Sequence, residues 1–212
     1  EYEINLPKHI KKLLPKKLSV SKIDYLIRDP YAFYVSEILK IKKINNFPMR
    51  KNYKIRGKII HEVLEEFIIK FSEKNHSEVQ LINIFNSILE KKLLSTNLSK
   101  DIMYHWLSKF KKISKLFIKN EIKKRDILNK IQVETYGNLN LILNNDFELN
   151  LVCKADRIDN SNSEIIIYDY KTSYIRNLDL MHFSPQLDIE ALILREKGFK
   201  EISSIKNKNI FI

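Results

Sequence analysis

Cysteine is almost absent from this chain: Cys153 is the only one in 212 residues. One thiol excludes a disulfide framework. It also excludes any centre that needs several thiolates, such as a zinc finger or an iron–sulfur cluster. An unpaired thiol fits a reducing compartment, and the expected localisation is cytoplasmic. Glycine is scarce, at three residues, and proline at five, so no flexible Gly/Ser linker and no low-complexity region are present. Three glycines cannot build a phosphate-cradling loop, which excludes a P-loop ATPase motor and a dinucleotide-binding loop. No apolar run of about 18 residues exists, so no transmembrane helix is expected. The opening EYEINLPKHIKKLLPKKLS lacks an initiator Met and the apolar core of a signal peptide, and reads as the edge of a longer chain.

What is abundant is positive charge. Lys and Arg total 38 against 26 Asp and Glu, a formal net charge of +12. Only seven of the basic residues are Arg, and Ile and Asn are crowded, a mix that an A+T-rich coding sequence tends to produce. The basic excess is compatible with a polyanionic partner, but by itself it does not separate nucleic acid from genome composition. The length suits one large domain or two small ones, and such a chain buries a sizeable core without staples.

The pattern changes character near residue 130. Before it the apolar spacing is helical. Ser19 and Ser21 are candidate N-caps, with Ile23, Leu26 and Ile27 following at helical spacing. Pro30 breaks the helix at Asp29 and opens a second one to about Leu39. A third helix spans about Tyr53–Phe71, with Gly57 inside it suggesting close packing or a nearby ligand. Two more cover about Glu78–Leu94 and Lys100–Lys124. After Ile131 the residues alternate. QVETYGNLNLILN, bent at Gly137, FELNLVCKADRID and EIIIYDYKT read as three strands, joined by turns at 144–146 and 160–163. A helix from about Pro185 to Lys197 ends at Gly198, taken as its C′ residue, and the tail reads as a last strand. The expected architecture is mixed α and β around one sheet: an arm at 1–17, a helical part at 18–128, and a sheet with one helix at 129–212.

The chemistry concentrates near the end of the third strand. Asp169 and Lys171 share a face, and Tyr170 points the other way. A hairpin folded about the midpoint of Asn162 and Ser163 sets Asp156 directly opposite Asp169, with Cβ atoms about 5 Å apart. Two carboxylates that close repel unless a cation sits between them, and a hard divalent ion such as Mg²⁺ suits their oxygens. The same register opposes Lys154 to Lys171, which a β-bulge near Lys154 would relieve. Beside such a metal, Lys171 can orient water, stabilise charge on a phosphate, or act as a base. The bland reading of Asp-x-Lys is a solvated surface hairpin.

Taken together, G-x-x-x-H (Gly57, His61), A-D-R-I-D (Asp156 to Asp159), D-Y-K-T (Asp169 to Thr172) and P-Q-L (Pro185 to Leu187) resemble the RecB-type branch of the PD-(D/E)xK nucleases. The stretch from Leu18 to Tyr34 resembles the start of the nuclease domain of AddB, a subunit of bacterial helicase–nuclease complexes that process double-strand breaks. The similarity spans Leu18 to about Gly198, and its strength lies in the order of the motifs. It implies a restriction-endonuclease-like core and Mg²⁺- or Mn²⁺-dependent, exonuclease-type hydrolysis of DNA in repair and recombination, alongside an AddA-like partner subunit. By position it implies that His61, Asp156, Asp169 and the Tyr170 carbonyl bind the metal, that Lys171 is catalytic, and that Gln186 places water or the nucleic-acid backbone. Glu134, on the first strand, is a weaker candidate to reach the site. The chain departs from the pattern in two places. Glu190 stands where many RecB-type nucleases carry Tyr. Asp29 stands where many AddB domains carry one of the four cysteines of an iron–sulfur cluster, which this chain cannot form.

Other candidates have bland readings beside the functional ones. Arg28, Tyr31 and Tyr34 either line a DNA groove or cap and pack their helix. Trp106 and Tyr104 read as core, Asp159 as turn chemistry, and the Lys pairs at 42–43, 91–92, 111–112 and 123–124 as solvated helix faces. His9, His76, His105 and His182 read as incidental. The rival functions are a catalytically silent DNA-binding or scaffolding module with the same fold, and an interaction domain unrelated to nucleic acid.

Overall fold

The computed structural model describes residues 13–41, 51–72, 76–125, 127–143, 147–172, 185–200, 202 and 208–212. The expected turn at 144–146, Lys42, Lys43, His9 and His182 lie outside them, as does most of the expected arm. The helices fall where the apolar spacing puts them. They are α1 (Val20–Arg28), α2 (Pro30–Phe33, running into a π-turn at Tyr34–Ile38), α3 (Lys51–Ser72), α4 (Glu78–Leu94), α5 (Lys100–Arg125) and α6 (Gln186–Arg195). The strands are β1 (Lys17–Ser19), β2 (Leu128–Leu143), β3 (Phe147–Ser161), β4 (Glu164–Tyr168) and β5 (Asn209–Phe211). No helix among the described residues is long and apolar enough to cross a membrane.

Two apolar cores hold these elements. The first joins α3, α4 and α5, where Phe67 packs against Phe71, Phe85 and Phe117 with ring centroids 5.4–6.0 Å apart. Ile131 and Val133 of β2 pack against it. The second lies between the sheet and α1, α2 and α6, built on Leu151, Cys153, Ile158, Ile165, Ile167, Ile193 and Phe199. On α3 the buried residues Ile60, Val63, Leu64, Phe67 and Phe71 recur at helical spacing.

β2, β3 and β4 form an antiparallel meander, and β5 pairs in parallel with β4. β1, which the sequence hid inside a helix start, pairs in parallel with Asn150–Val152 of β3. β1 and β4 thus share one edge of β3 and diverge along it, since β1 pairs as far as Val152 and β4 begins at Arg157. Asp156 sits in that gap.

The hairpin register holds. Arg157 faces Tyr168 and Asn160 faces Ile165, so the ladder points Asp156 at Asp169 just past its end. The opposition of Lys154 to Lys171 does not arise, because β4 stops at Tyr168. No bulge forms near Lys154. The irregular backbone is on β2, at Glu134, whose φ of 51° is left-handed. Glu134 lies between the pairs Val133–Arg157 and Thr135–Ala155, hence opposite Asp156. Alternation changes phase here: Ala155 and Ile158 reach the same core although three residues apart, which strict period two forbids.

Two glycine readings are corrected. The left-handed residue after α6 is Lys197, with φ 60°, and not Gly198. Gly198 is required because a Cβ there would stand 2.2 Å from the Asn138 carbonyl of β2. Of the two readings of Gly57, close packing is not met: among the described residues an added Cβ would meet Thr172 Oγ1 at 3.5 Å, an ordinary contact, which leaves the nearby ligand.

Candidate active site

The site gathers side chains from α3, β2, β3, the segment after β4, and α6. His61 projects from α3 over the gap in the sheet. Its Nδ1 lies 3.1 Å from Asp156 Oδ1 and its Nε2 lies 2.8 Å from the Tyr170 carbonyl oxygen. Both partners are acceptors, an arrangement that favours a ring carrying two N–H groups. The hydrogen bond to Asp156 is the largest influence raising its pKa above the usual value. Asp156 Oδ2 accepts the Tyr170 N–H at 2.7 Å. Burial acts most strongly on the Asp156 carboxyl and pushes its pKa up. The hydrogen bonds from His61 and Tyr170, with the charges of His61 and Lys171, outweigh burial and hold it below the ordinary range.

Glu134 completes the cluster. One ligand atom from each of His61, Glu134 and Asp156 lies within 4.8 Å of the others. The left-handed backbone at Glu134 costs about 1–2 kcal/mol for a non-glycine residue, and such strain gathers at functional positions. Glu134 also pairs with Lys154, whose ammonium lies 5.3 Å from the centre of the Tyr136 ring. Asp169 is turned to Lys171, with Oδ2 and Nζ 2.5 Å apart. Imidazole nitrogen with carboxylate and carbonyl oxygens is a donor set that fits a hard divalent cation.

Behind the cluster stands a buried ion network that no motif announces. Arg157 is 1% exposed. Its Nε and Nη2 donate to both oxygens of Asp159 at 2.5 and 2.7 Å, and Nη2 lies 2.8 Å from Glu121 Oε2 of α5. Its guanidinium lies 5.1 Å from the Tyr168 ring centre, and Nη1 reaches the Tyr170 hydroxyl at 3.4 Å. Asp159 is therefore a buried ion-pair partner and not a turn residue. The network ties the Tyr170 ring to the helical side, which leaves the Tyr170 backbone N–H and carbonyl for Asp156 and His61.

Gln186 opens α6, and its Nε2 donates to Glu190 Oε1 at 3.2 Å. Glu190 is 2% exposed, and its other oxygen is buried without a hydrogen-bond partner among the described residues. Burial pushes its pKa up to about 7, and Asp169 and Asp156 add to the rise. The native state thus binds this proton more tightly than the unfolded chain. Its stabilising share is complete below about pH 4.5 and is lost as pH rises through about 7. We expect Glu190→Gln to remove that loss. In urea titrations of metal-free protein, the variant should gain on the order of 3 kcal/mol relative to the parent between pH 4.5 and pH 8. Parallel stability–pH curves would show that the carboxyl is not held this way.

Other residues singled out by the sequence stand away from the cluster. Tyr31 is 77% exposed and Arg28 pairs with Asp24 on α1, so neither belongs to it. Asp29, at the position of the missing cysteine, caps α2 by accepting the Ala32 N–H at 2.9 Å. Tyr104 is exposed and not core, whereas Trp106 is buried. Lys92, Lys111 and Lys124 are more than solvated faces: they reach Glu62 and Glu66, Glu90, and the Tyr168 hydroxyl. Cys153 is buried, and burial pushes its thiol up to about 12, so it is an inert core residue.

Comparison with known proteins agrees with this geometry. The PD-(D/E)XK nuclease superfamily model matches residues 17–207. The chain belongs to that superfamily, and its curled mixed sheet flanked by helices is consistent with the superfamily's restriction-endonuclease-like fold. An uncharacterized protein of Rickettsia bellii is 37% identical over 191 residues, covering 87% of this chain and 22% of that protein. One from Rickettsia felis is 36% identical over 212 residues, covering 93% of this chain and 23% of the relative. An ATP-dependent helicase/deoxyribonuclease subunit of Clostridium perfringens strain 13, the AddB protein, is 28% identical over 211 residues, covering 83% of this chain and 17% of that relative. The chain spans about a fifth of the length of these relatives.

Proposed function

We propose that this domain is a Mg²⁺- or Mn²⁺-dependent deoxyribonuclease that hydrolyses phosphodiester bonds in DNA. In this reading it serves an AddB-like helicase–nuclease in double-strand break repair and recombination, beside an AddA-like partner. The observation that carries it is the convergence of His61, Glu134 and Asp156 at the gap in the sheet, with the charge of Lys171 acting on Asp156 and Asp169 paired to Lys171. The four acidic and imidazole groups and the Tyr170 carbonyl would hold the metal, which supplies polarisation of the phosphoryl oxygen and a water of lowered pKa. His61 is held by the same carboxylate and carbonyl that would take the cation, so releasing one proton frees one nitrogen and the oxygen it faced, while the other N–H keeps the ring in place. Lys171 sets an ammonium where charge develops on the phosphate, with Asp169 limiting its swing. Gln186, anchored on Glu190, presents its amide oxygen toward water or the DNA backbone.

The test is cleavage of single- and double-stranded DNA with Mg²⁺, Mn²⁺ or EDTA. Lys171→Ala and Asp169→Ala should each lower metal-dependent cleavage by roughly 10²–10³-fold. Salt-sensitive DNA binding without any cleavage would replace this reading with a silent binding module.

A further inference from the structure

A cavity of about 380 Å³ adjoins the site at Tyr170 and Lys171. It is enclosed by α3, α4, α5 and the segment after β4. Its inner wall is apolar and aromatic, with Trp106 and Phe110. Its cationic side chains are Arg56, Lys109 and Lys171, and no carboxylate is among its described lining residues. Tyr170, Lys171 and Thr172 form the wall shared with the site. Arg56 Nη2 donates to the Thr172 carbonyl at 2.7 Å, which binds α3 to the segment that carries Asp169 and Lys171.

The geometry points to a pocket for one unpaired nucleobase of the strand being cut, an assignment that rests on the nuclease reading above. The volume lies within the roughly 300–1,000 Å³ of small-molecule sites, so it takes a base with its sugar and not a stacked pair. Aromatic walls receive a base face without regard to sequence, and cations at the mouth suit the flanking phosphates. An apolar metabolite would give that positive charge no counterpart. The second concavity fits the rest of the strand. A groove of about 820 Å³ lies against Glu134, Gln186 and Glu190 and carries Lys17, Lys154 and Lys200. Glu134 and Gln186 line the groove and Tyr170 and Lys171 line the pocket, so the site borders both. A phosphate at the cluster therefore has backbone on one side and a base on the other. A base inside a duplex is paired and stacked on both faces and must leave the helix to enter.

The chain has a single tryptophan, so Trp106 emission reports on this pocket alone. The protein in EDTA is titrated with a short oligothymidylate, the same strand carrying abasic sugars, and a blunt duplex. Saturable quenching by the oligothymidylate, weaker with the abasic strand and the duplex, is the expected result. Phe110→Ala should raise the apparent Kd roughly 5- to 100-fold. Lys109→Glu, an exposed change that leaves the core intact, should also weaken binding, with unchanged circular dichroism. Equal quenching by abasic and intact strands, or none, would overturn the base pocket. Because no cleavage is required, quenching without nuclease activity would overturn the nuclease reading and leave the pocket standing, whereas cleavage without quenching would do the reverse.

Discussion

Arg157→Met lowers the stability of the fold by about 3–5 kcal/mol, because it strands Asp159 and Glu121 as unpaired buried carboxylates. The expectation follows from position and not from charge alone. The three side chains are between 0% and 5% exposed, so water cannot replace the guanidinium. Burial already pushes the Asp159 carboxyl above its usual range, with Arg157 working against it. Once Arg157 is gone, Asp159 takes up a proton more readily in the folded state. The deficit should therefore shrink as pH falls from 7 toward 4, the sign for carboxyls whose folded pKa is raised. Urea denaturation at both pH values measures it. Replacing all three residues by apolar side chains of similar volume should restore most of the loss. A variant within about 1 kcal/mol of the parent at pH 7 would show that the network contributes little.

Asp156→Asn should remove most of the proposed chemistry while keeping the shape. The amide cannot accept from both His61 and the Tyr170 N–H as the carboxylate does, and it offers a metal no charge. Mn²⁺ affinity, read by calorimetry, should fall at least about tenfold, and cleavage by roughly 10²–10³-fold. The His61 resonance should titrate at lower pH than in the parent, since its bond to Asp156 is the main cause of its raised pKa. Unchanged Mn²⁺ affinity would remove Asp156 from the metal site. An unchanged His61 titration would remove the hydrogen bond as the cause of its shift.

The local features were legible because local rules generate them. Helical spacing placed α3 to α5 within about two residues at each end, and the Asn162–Ser163 turn set the β3–β4 register. The opposition of Asp156 to Asp169 follows from that turn and from a side-chain period of two. What stayed hidden was non-local. β1 has three residues, too few for any period to show, and it exists because β3 offers a free edge. Glu134 looked peripheral, since nothing in its type announces a left-handed backbone that turns it into the cluster. Arg157 sat inside A-D-R-I-D without a role, because one of its two acidic partners, Glu121, lies on a helix ahead of the sheet.

The sequence by itself therefore determined the superfamily and the order of every element but β1, and it singled out His61, Asp156, Asp169, Lys171 and Gln186 as the candidate site. It also ruled out thiolate centres by the count of one cysteine. Tertiary structure alone decided how those residues are held. It chose Glu134 as the third member of the cluster, made Asp159 a buried partner instead of a turn residue, and raised Glu190 toward neutral pH by burial. The reason is the same in each case. A polar residue's type states what it costs to bury, but only the packing of distant elements decides whether it is buried and which group satisfies it.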